Sequence, residues 1–229
     1  MGGTEGFITE VFRFGALRIT NTVVVTWAIM LVLWLAGWVA SQRLRLSPAS
    51  WQVLLEGVVS AIENAIRMVL PDHVQRVLPF IATLWIFVAI ANLVSVIPGV
   101  RSPTGDLSLT AGLAILVFLS VHWYGIAAHG LKRYLRHYLK PNPILLPFHI
   151  ISEISRTVAL TVRLFGNIFS LQMAALLVLL VAGFLVPVPV LMLHIIEGLV
   201  QAYIFGMLAL IYVAGAIQSH ERKRNLEKE

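Results

Sequence analysis

Two sets of polar residues stand in stretches of this chain that are otherwise apolar, and their types and spacing define the chemistry open to it. The first is Glu153, Arg156, Arg163 and Asn167; the second is His194, Glu197 and Gln201. Apolar sequence runs both ways from Arg163, with no proline before Pro187, so a single helix is the natural reading. On that helix His149, Ser152, Arg156, Arg163, Asn167 and Ser170 share one narrow sector. A guanidinium keeps its proton throughout the physiological range. At membrane depth it costs about 2.5 to 3.5 kcal/mol on insertion scales, so it is retained only where it meets protein or trapped water. Arg163 therefore reads as a fixed positive charge inside a membrane. The plainer alternative, an arginine snorkelling to the headgroups, is already served by Arg156 two turns nearer the basic end.

His194, Glu197 and Gln201, three, four and seven apart, share a face of the following helix. Two ionisable groups and an amide inside a membrane segment mark a functional site by default. Imidazole, carboxyl and amide can all donate and accept hydrogen bonds, so together they can order water and relay protons. The competing reading is a His194–Glu197 pair that merely satisfies itself. Asn92 and Ser95 form a weaker polar pair near the end of an earlier apolar run, and a lone asparagine there more often bonds a neighbouring helix than lines a channel.

The elements that must carry these groups are membrane helices. The chain of 229 residues is 59% hydrophobic and 12% charged, with mean hydropathy +0.87, about half the charge of an ordinary soluble domain. The reading is an all-α integral membrane protein in one domain. Residues 1–20 form a mixed, slightly amphipathic leader, and 23–40 a first transmembrane helix stopped by Arg43 and Arg45. Residues 48–70 form an amphipathic, interfacial helix opened by Ser47-Pro48. Residues 78–128 form a transmembrane hairpin, its first span closed by Pro98-Gly99. Residues 148–219 form a second hairpin turned by Pro187-Val-Pro189, and 220–229 a tail. Each helix of this last pair, at ~30 residues or more, is ~45 Å long against a hydrocarbon core of ~30 Å, which predicts strong tilt.

The net charge of +6 comes from basic residues clustered between apolar runs, which fits a membrane protein and not a nucleic-acid binder. The loop holding Lys132, Arg133, Arg136 and Lys140 is the most basic and is placed in the cytoplasm with the Arg222-Lys223-Arg224 tail. The loop from Pro98 to Asp106 and the N-terminus then fall outside. The absence of cysteine excludes disulfides and thiolate metal sites. No phosphate-cradling glycine loop is present, and no metal or cofactor site is expected. His122, His129 and His137 read as interfacial.

The segment Ala159-Leu-Thr161-Val-Arg163-Leu-Phe-Gly166-Asn167-Ile168 resembles the signature of subunit a of the F-type ATP synthases. Its small-x-small-apolar-Arg-Leu-x-small-Asn-apolar frame matches throughout, and a weaker resemblance extends from about Trp51 to Tyr212. The resemblance implies a stator subunit whose last two helices lie inclined against a ring of rotor proteolipids, the c-ring. It also implies b-type peripheral-stalk subunits and the remaining synthase complex as partners, with surrounding lipid, in a bacterial inner membrane. Arg163 would face a rotor carboxylate. Asn92, Gln201, Glu197 and His194 would belong to the outer half-channel, and Glu153 and Arg156 to the inner one. At Gln172 many members of the family carry a carboxylate or histidine, and glutamine cannot titrate; Glu197, one turn from His194, is the expected substitute. A self-contained transporter or channel is the alternative, but it would be expected to show internally repeated halves, and none is visible.

Overall fold

The computed structural model describes residues 10–14, 17–42, 50–97, 102–130, 146–182 and 187–226. Among the described residues six α-helices follow a short antiparallel hairpin: β1 (Glu10–Phe14), β2 (Leu17–Thr20), α1 (Asn21–Gln42), α2 (Ser50–Val69), α3 (Val74–Leu93), α4 (Leu107–His129), α5 (Leu146–Ala182) and α6 (Pro187–Leu226). Among these residues five helices are long and apolar enough to cross a bilayer, the spans being Asn21–Gln42, Pro71–Leu93, Leu107–Ala128, Pro147–Val178 and Met192–Gln218. The chain is an integral membrane protein.

Several boundaries differ from the sequence reading. The leader holds the hairpin, with Arg13 opposite Arg18, Phe14 opposite Leu17 and an irregularity between Glu10 and Phe12; apolar and polar residues alternate along Leu17–Thr20, which favours extended backbone there. The third helix starts at Val74, since a 3-10 turn, Pro71–His73, leads into it. The last helix starts at Pro187, so the expected Pro187-Val-Pro189 turn is the first turn of α6. Proline lacks only an N–H that a first turn does not use. The same helix runs beyond Ser219 to Leu226. Ser47-Pro48, the Lys132 to Lys140 loop and His137 lie outside the described residues.

The core forms where α3 packs along α6, with α4 against both α5 and α6. On α3 the buried side chains Val77, Ile81, Leu84, Val88 and Ala91 recur at three- and four-residue intervals, one stripe of the helix. They meet Ala202, Phe205, Ala209, Leu210 and Val213 of α6, which are also buried. On α5 the inward stripe is Leu160, Leu164, Ile168 and Leu171. α1 buries only Thr26 and Ile29 and leaves Trp27, Trp34 and Trp38 exposed. The end of α6 is tied to α2 by Gln218 Nε2 donating to the Val69 carbonyl at 2.8 Å.

Local devices set the helix ends. Asp106 caps α4 by accepting from the Ser108 backbone N–H at 2.9 Å and its hydroxyl at 2.7 Å. Gly130, at φ 80°, lets the chain leave α4, its N–H reaching the Ile126 carbonyl at 2.7 Å.

The α3–α6 approach depends on Gly206. A Cβ there would sit 2.6 Å from Trp85 Cδ2, and the indole is also held by Tyr203, with ring centroids 5.3 Å apart. Gly206→Ala should lower stability by about 1–3 kcal/mol through overpacking. Gly215→Ala, at an exposed position with nothing within 4 Å of its Cβ, should be neutral or stabilise by up to about 1 kcal/mol through helix propensity. Thermal unfolding of the two variants in the same detergent should separate them.

Candidate functional site

The polar residues singled out above fall at three levels along the α5–α6 pair. The first level lies where the end of α3 and the turn at Ser102–Gly105 meet the start of α6. Asn92 is fully buried. Its Nδ2 donates to the Gly198 carbonyl of α6 at 2.9 Å, and its Oδ1 accepts from the Thr104 hydroxyl at 2.7 Å. Asn92 thus bonds a neighbouring helix. Gly198 keeps this approach close: a Cβ there would lie 3.2 Å from Asn92 Cβ, a tight contact. Ser102 lies 2.6 Å from Thr104 Oγ1 and 3.0 Å from the Ala91 carbonyl, and its one proton serves one of them at a time.

His194 belongs to the same cluster. It is 4% exposed, and its Nε2 stands 2.6 Å from the Ser95 hydroxyl. Glu197 is half-buried on the same helix face, and among the described residues it makes no ion pair with His194. The self-satisfied pair is therefore not what the geometry holds. Gln172 of α5 comes to this level too, with its side-chain amide 2.9 to 3.3 Å from where a Cβ on Gly105 would be. It fills space against the Ser102–Gly105 turn, on the side of α5 opposite Arg163.

At the second level Asn167 Nδ2 donates to Gln201 Oε1 at 2.7 Å, joining the two long helices. Gln201 is 1% exposed, and its Nε2 has no hydrogen-bond partner among the described residues. A buried donor without a partner is costly and marks a place for a water or an incoming acceptor.

Arg163 lies one turn from Asn167 and near the midpoint of α5. Its side chain is exposed, among exposed Val158, Val162 and Phe169, and it has no hydrogen bond or ion pair to a described residue. Behind it Leu160, Leu164 and Ile168 are buried. The guanidinium thus points out of this chain, and the stripe read from the sequence divides: Arg163 and Ser170 face outward while Asn167 turns in to α6.

The third level lies toward the start of α5. Arg156 Nη1 is 4.0 Å from Glu153 Oε1, and its guanidinium carbon sits 4.6 Å from the ring centroid of Tyr212 on α6. Glu153, Arg156, Thr157, Leu160 and Tyr212, with Val117 and Val121 of α4, line a small cavity. Arg156 is therefore held by an aromatic face and a carboxylate. His122, on α4, packs at a tilt against Phe118 with ring centroids 4.4 Å apart. No metal-binding cluster occurs among the described residues.

The structure adds Ser102, Thr104 and Tyr212 to the site residues read from the sequence. Thr104 sat in a Pro-Thr-Gly stretch that signals a turn, and Tyr212 lies on an apolar run; neither carried a signal of its own.

Residues 22–214 match the family model described as ATP synthase A chain. ATP synthase subunit a of Legionella pneumophila strain Paris is 60% identical over 223 residues, spanning 96% of this chain and 97% of the relative. ATP synthase subunit a 2 of Pelobacter propionicus is 62% identical over 218 residues, 95% and 96% of the two chains. ATP synthase subunit a 1 of Chlorobaculum parvum is 44% identical over 213 residues, 92% and 94%.

The buried network around Asn92 gives a direct test. Thr104→Val removes the hydroxyl that serves Asn92 Oδ1 and strands that oxygen in the interior, a loss of about 1–3 kcal/mol. Thr104→Ser should remain close to the parent. Thermal unfolding of both variants in detergent checks this, and equal stability of the two would remove Thr104 from the network.

Proposed function

The chain belongs to the ATP synthase A chain family, and from that premise we propose that it is the stator of the membrane sector, with Arg163 holding a fixed charge against a carboxylate brought past it by a rotor ring. The observation that carries this reading is the place of Arg163: mid-helix, outward-facing and unpaired within the described chain. A charge so placed in an apolar setting is tolerable only if another chain or trapped water meets it. A c-ring of proteolipids against the α5–α6 face supplies both the partner and the carboxylate.

The two ends of the site take the two halves of the pathway. An ion enters from outside by Asn92, His194 and Glu197, is passed to the level of Gln201 and Asn167, and neutralises a rotor carboxylate. A neutral carboxyl no longer needs the guanidinium and can turn into lipid. When it comes round again it meets Arg163, and the positive charge favours the ionised form, so the ion leaves toward Glu153 and Arg156. Each unit charge driven across supplies about 2.3 kcal/mol per 100 mV. The catalytic work on nucleotide belongs to other subunits of the complex, and this chain is assigned no nucleotide site.

Orientation follows from charge. The basic Lys132 to Lys140 loop and the C-terminal tail lie in the cytoplasm and the N-terminus outside, in the inner membrane of a bacterium. The α5 span of 32 residues, Pro147–Val178, is about 48 Å long and has to incline to stay within a core of about 30 Å. Inclined, α5 and α6 offer the ring a side. α2 lies along the interface, its Leu54, Leu55, Val58 and Val59 exposed to lipid. Lipid and b-type peripheral-stalk subunits cover the remaining apolar surface.

Arg163→Ala should abolish ATP synthesis in reconstituted vesicles, with passive ion flux persisting or rising once the catalytic sector is removed. Arg163→Lys should rescue poorly, since an ammonium lacks the planar fork that meets a carboxylate and discharges more readily when desolvated. Retained synthesis in the alanine variant would sink the mechanism.

Glu197 and Gln172 separate by role. Gln172 packs on Gly105, so Gln172→Leu should leave synthesis within about twofold, the effect of a volume-conserving swap. Glu197→Gln removes the ionisable group nearest His194 and should slow synthesis on the order of a hundredfold, the scale of a lost positioned proton carrier. Parent rates in Glu197→Gln vesicles would take Glu197 out of the pathway.

A further inference from the structure

Ser95 follows α3 in a 3-10 turn, Val94–Val96, and its hydroxyl has two neighbours: the carbonyl oxygen of Asn92 at 2.5 Å and Nε2 of His194 at 2.6 Å. A serine hydroxyl has one proton to give, and a carbonyl oxygen can only accept. The Asn92 contact therefore takes the Ser95 proton. The His194 contact then needs its proton from the ring, so Nε2–H donates and Ser95 Oγ accepts. Were Nε2 bare, one of these two contacts would set lone pair against lone pair at a buried residue, where an unmade bond is most costly.

We propose that Ser95 is a positioning residue that keeps the proton on Nε2 of His194 and so makes Nδ1 the nitrogen at which that ring exchanges protons. The imidazolium also carries Nε2–H, so the Ser95 contact is the same in both charge states. In the exchange the Nδ1 lone pair takes up a proton, giving the imidazolium. Nδ1 later releases that proton while the Nε2–H bond stays intact, and the ring does not have to flip. Among the described residues Nδ1 has no hydrogen-bond partner. The titratable group whose field reaches the ring is Glu197, one turn along α6, and from the turn after α3 it is the uncharged Ser95 that meets it. That His194 belongs to the ion pathway rests on the function proposed above; the position of its proton rests on the two contacts alone.

The test is nitrogen NMR of the whole complex, labelled with [15N]histidine and reconstituted in lipid at mildly alkaline pH, where the ring is neutral. The His194 signals are those absent from His194→Gln. The parent and Ser95→Thr should show a pyridine-like Nδ1 and a pyrrole-like Nε2. In Ser95→Ala the population should move toward Nδ1–H, with synthesis falling about fivefold, the equivalent of one uncharged hydrogen bond. A pyrrole-like Nδ1 in the parent, or an unchanged pair of shifts in Ser95→Ala, would overturn the assignment, and a purely structural role for Ser95 predicts the second of these. Undiminished synthesis in His194→Gln would instead remove His194 from the pathway and leave the proton's position on the ring standing.

Discussion

A guanidinium near the midpoint of an apolar 37-residue helix is the constraint from which the rest of the structure can be derived. The charge cannot be discharged, and no described carboxylate of this chain answers it. The fold handles it by turning Arg163 outward and placing a wholly apolar stripe, Leu160, Leu164 and Ile168, behind it. That stripe packs on the rest of the bundle and fixes the rotation of α5 about its own axis, so it also fixes where the charge points. A helix whose inward stripe were polar could roll to bury its arginine. This one cannot without exposing the residues that hold it to α4.

The companion helix is held by a different means. α6 approaches α3 closely because Gly198 and Gly206 remove the side chains that would keep them apart. A polar group buried in that seam is costly unless it finds a partner. Asn92 does so by bonding Gly198 on one side and Thr104 on the other, which joins α3, α6 and the Ser102–Gly105 turn at one point. Rigid anchoring of that end matters for His194, since its contact with Ser95 depends on the register of α6 against α3. Among the described residues Gln201 Nε2 stands apart as the buried group left unserved, while its Oε1 is bonded to Asn167, one turn from Arg163.

Much of this was legible in the residues themselves. A helix through Arg163 followed from the unbroken apolar run around it, and the common face of His194, Glu197 and Gln201 followed from spacing, because both are properties of one helix. The partners were not legible, because they are properties of two. Asn92 and Gly198 are 106 residues apart, and no periodicity within one element reports such a meeting. Thr104 was hidden for a related reason: turn chemistry explains Pro103-Thr104-Gly105 fully without a buried role. The hairpin before α1 carried its own signal, Gly15-Ala16 between two short runs of mixed polarity, but the stretch read as a mixed, slightly amphipathic leader. Pro187 and Pro189 looked like a turn because proline stops helices more often than it starts them within a sequence pattern.

The spacing of the three polar levels bears on whether this chain could conduct by itself. From His194 to Gln201 is about 10 Å along α6, and from Gln201 to Tyr212 about 16 Å. Between the last two, the inward side chains of α6 are Phe205, Ala209 and Leu210, and the buried residues of α5 are Leu160, Thr161 and Leu164, the Thr161 hydroxyl being spent on the Thr157 carbonyl of its own helix. An ion held at Gln201 thus has a hydrocarbon layer between it and the Glu153–Arg156 end. The outward face offers no better route, since its charge is positive and its neighbours are Val158, Val162 and Phe169. A self-contained channel would need a continuous polar file through that layer. What the arrangement suits, on the function proposed above, is interruption: two polar ends, a cationic barrier between them, and a carrier on another chain that takes the ion around the barrier.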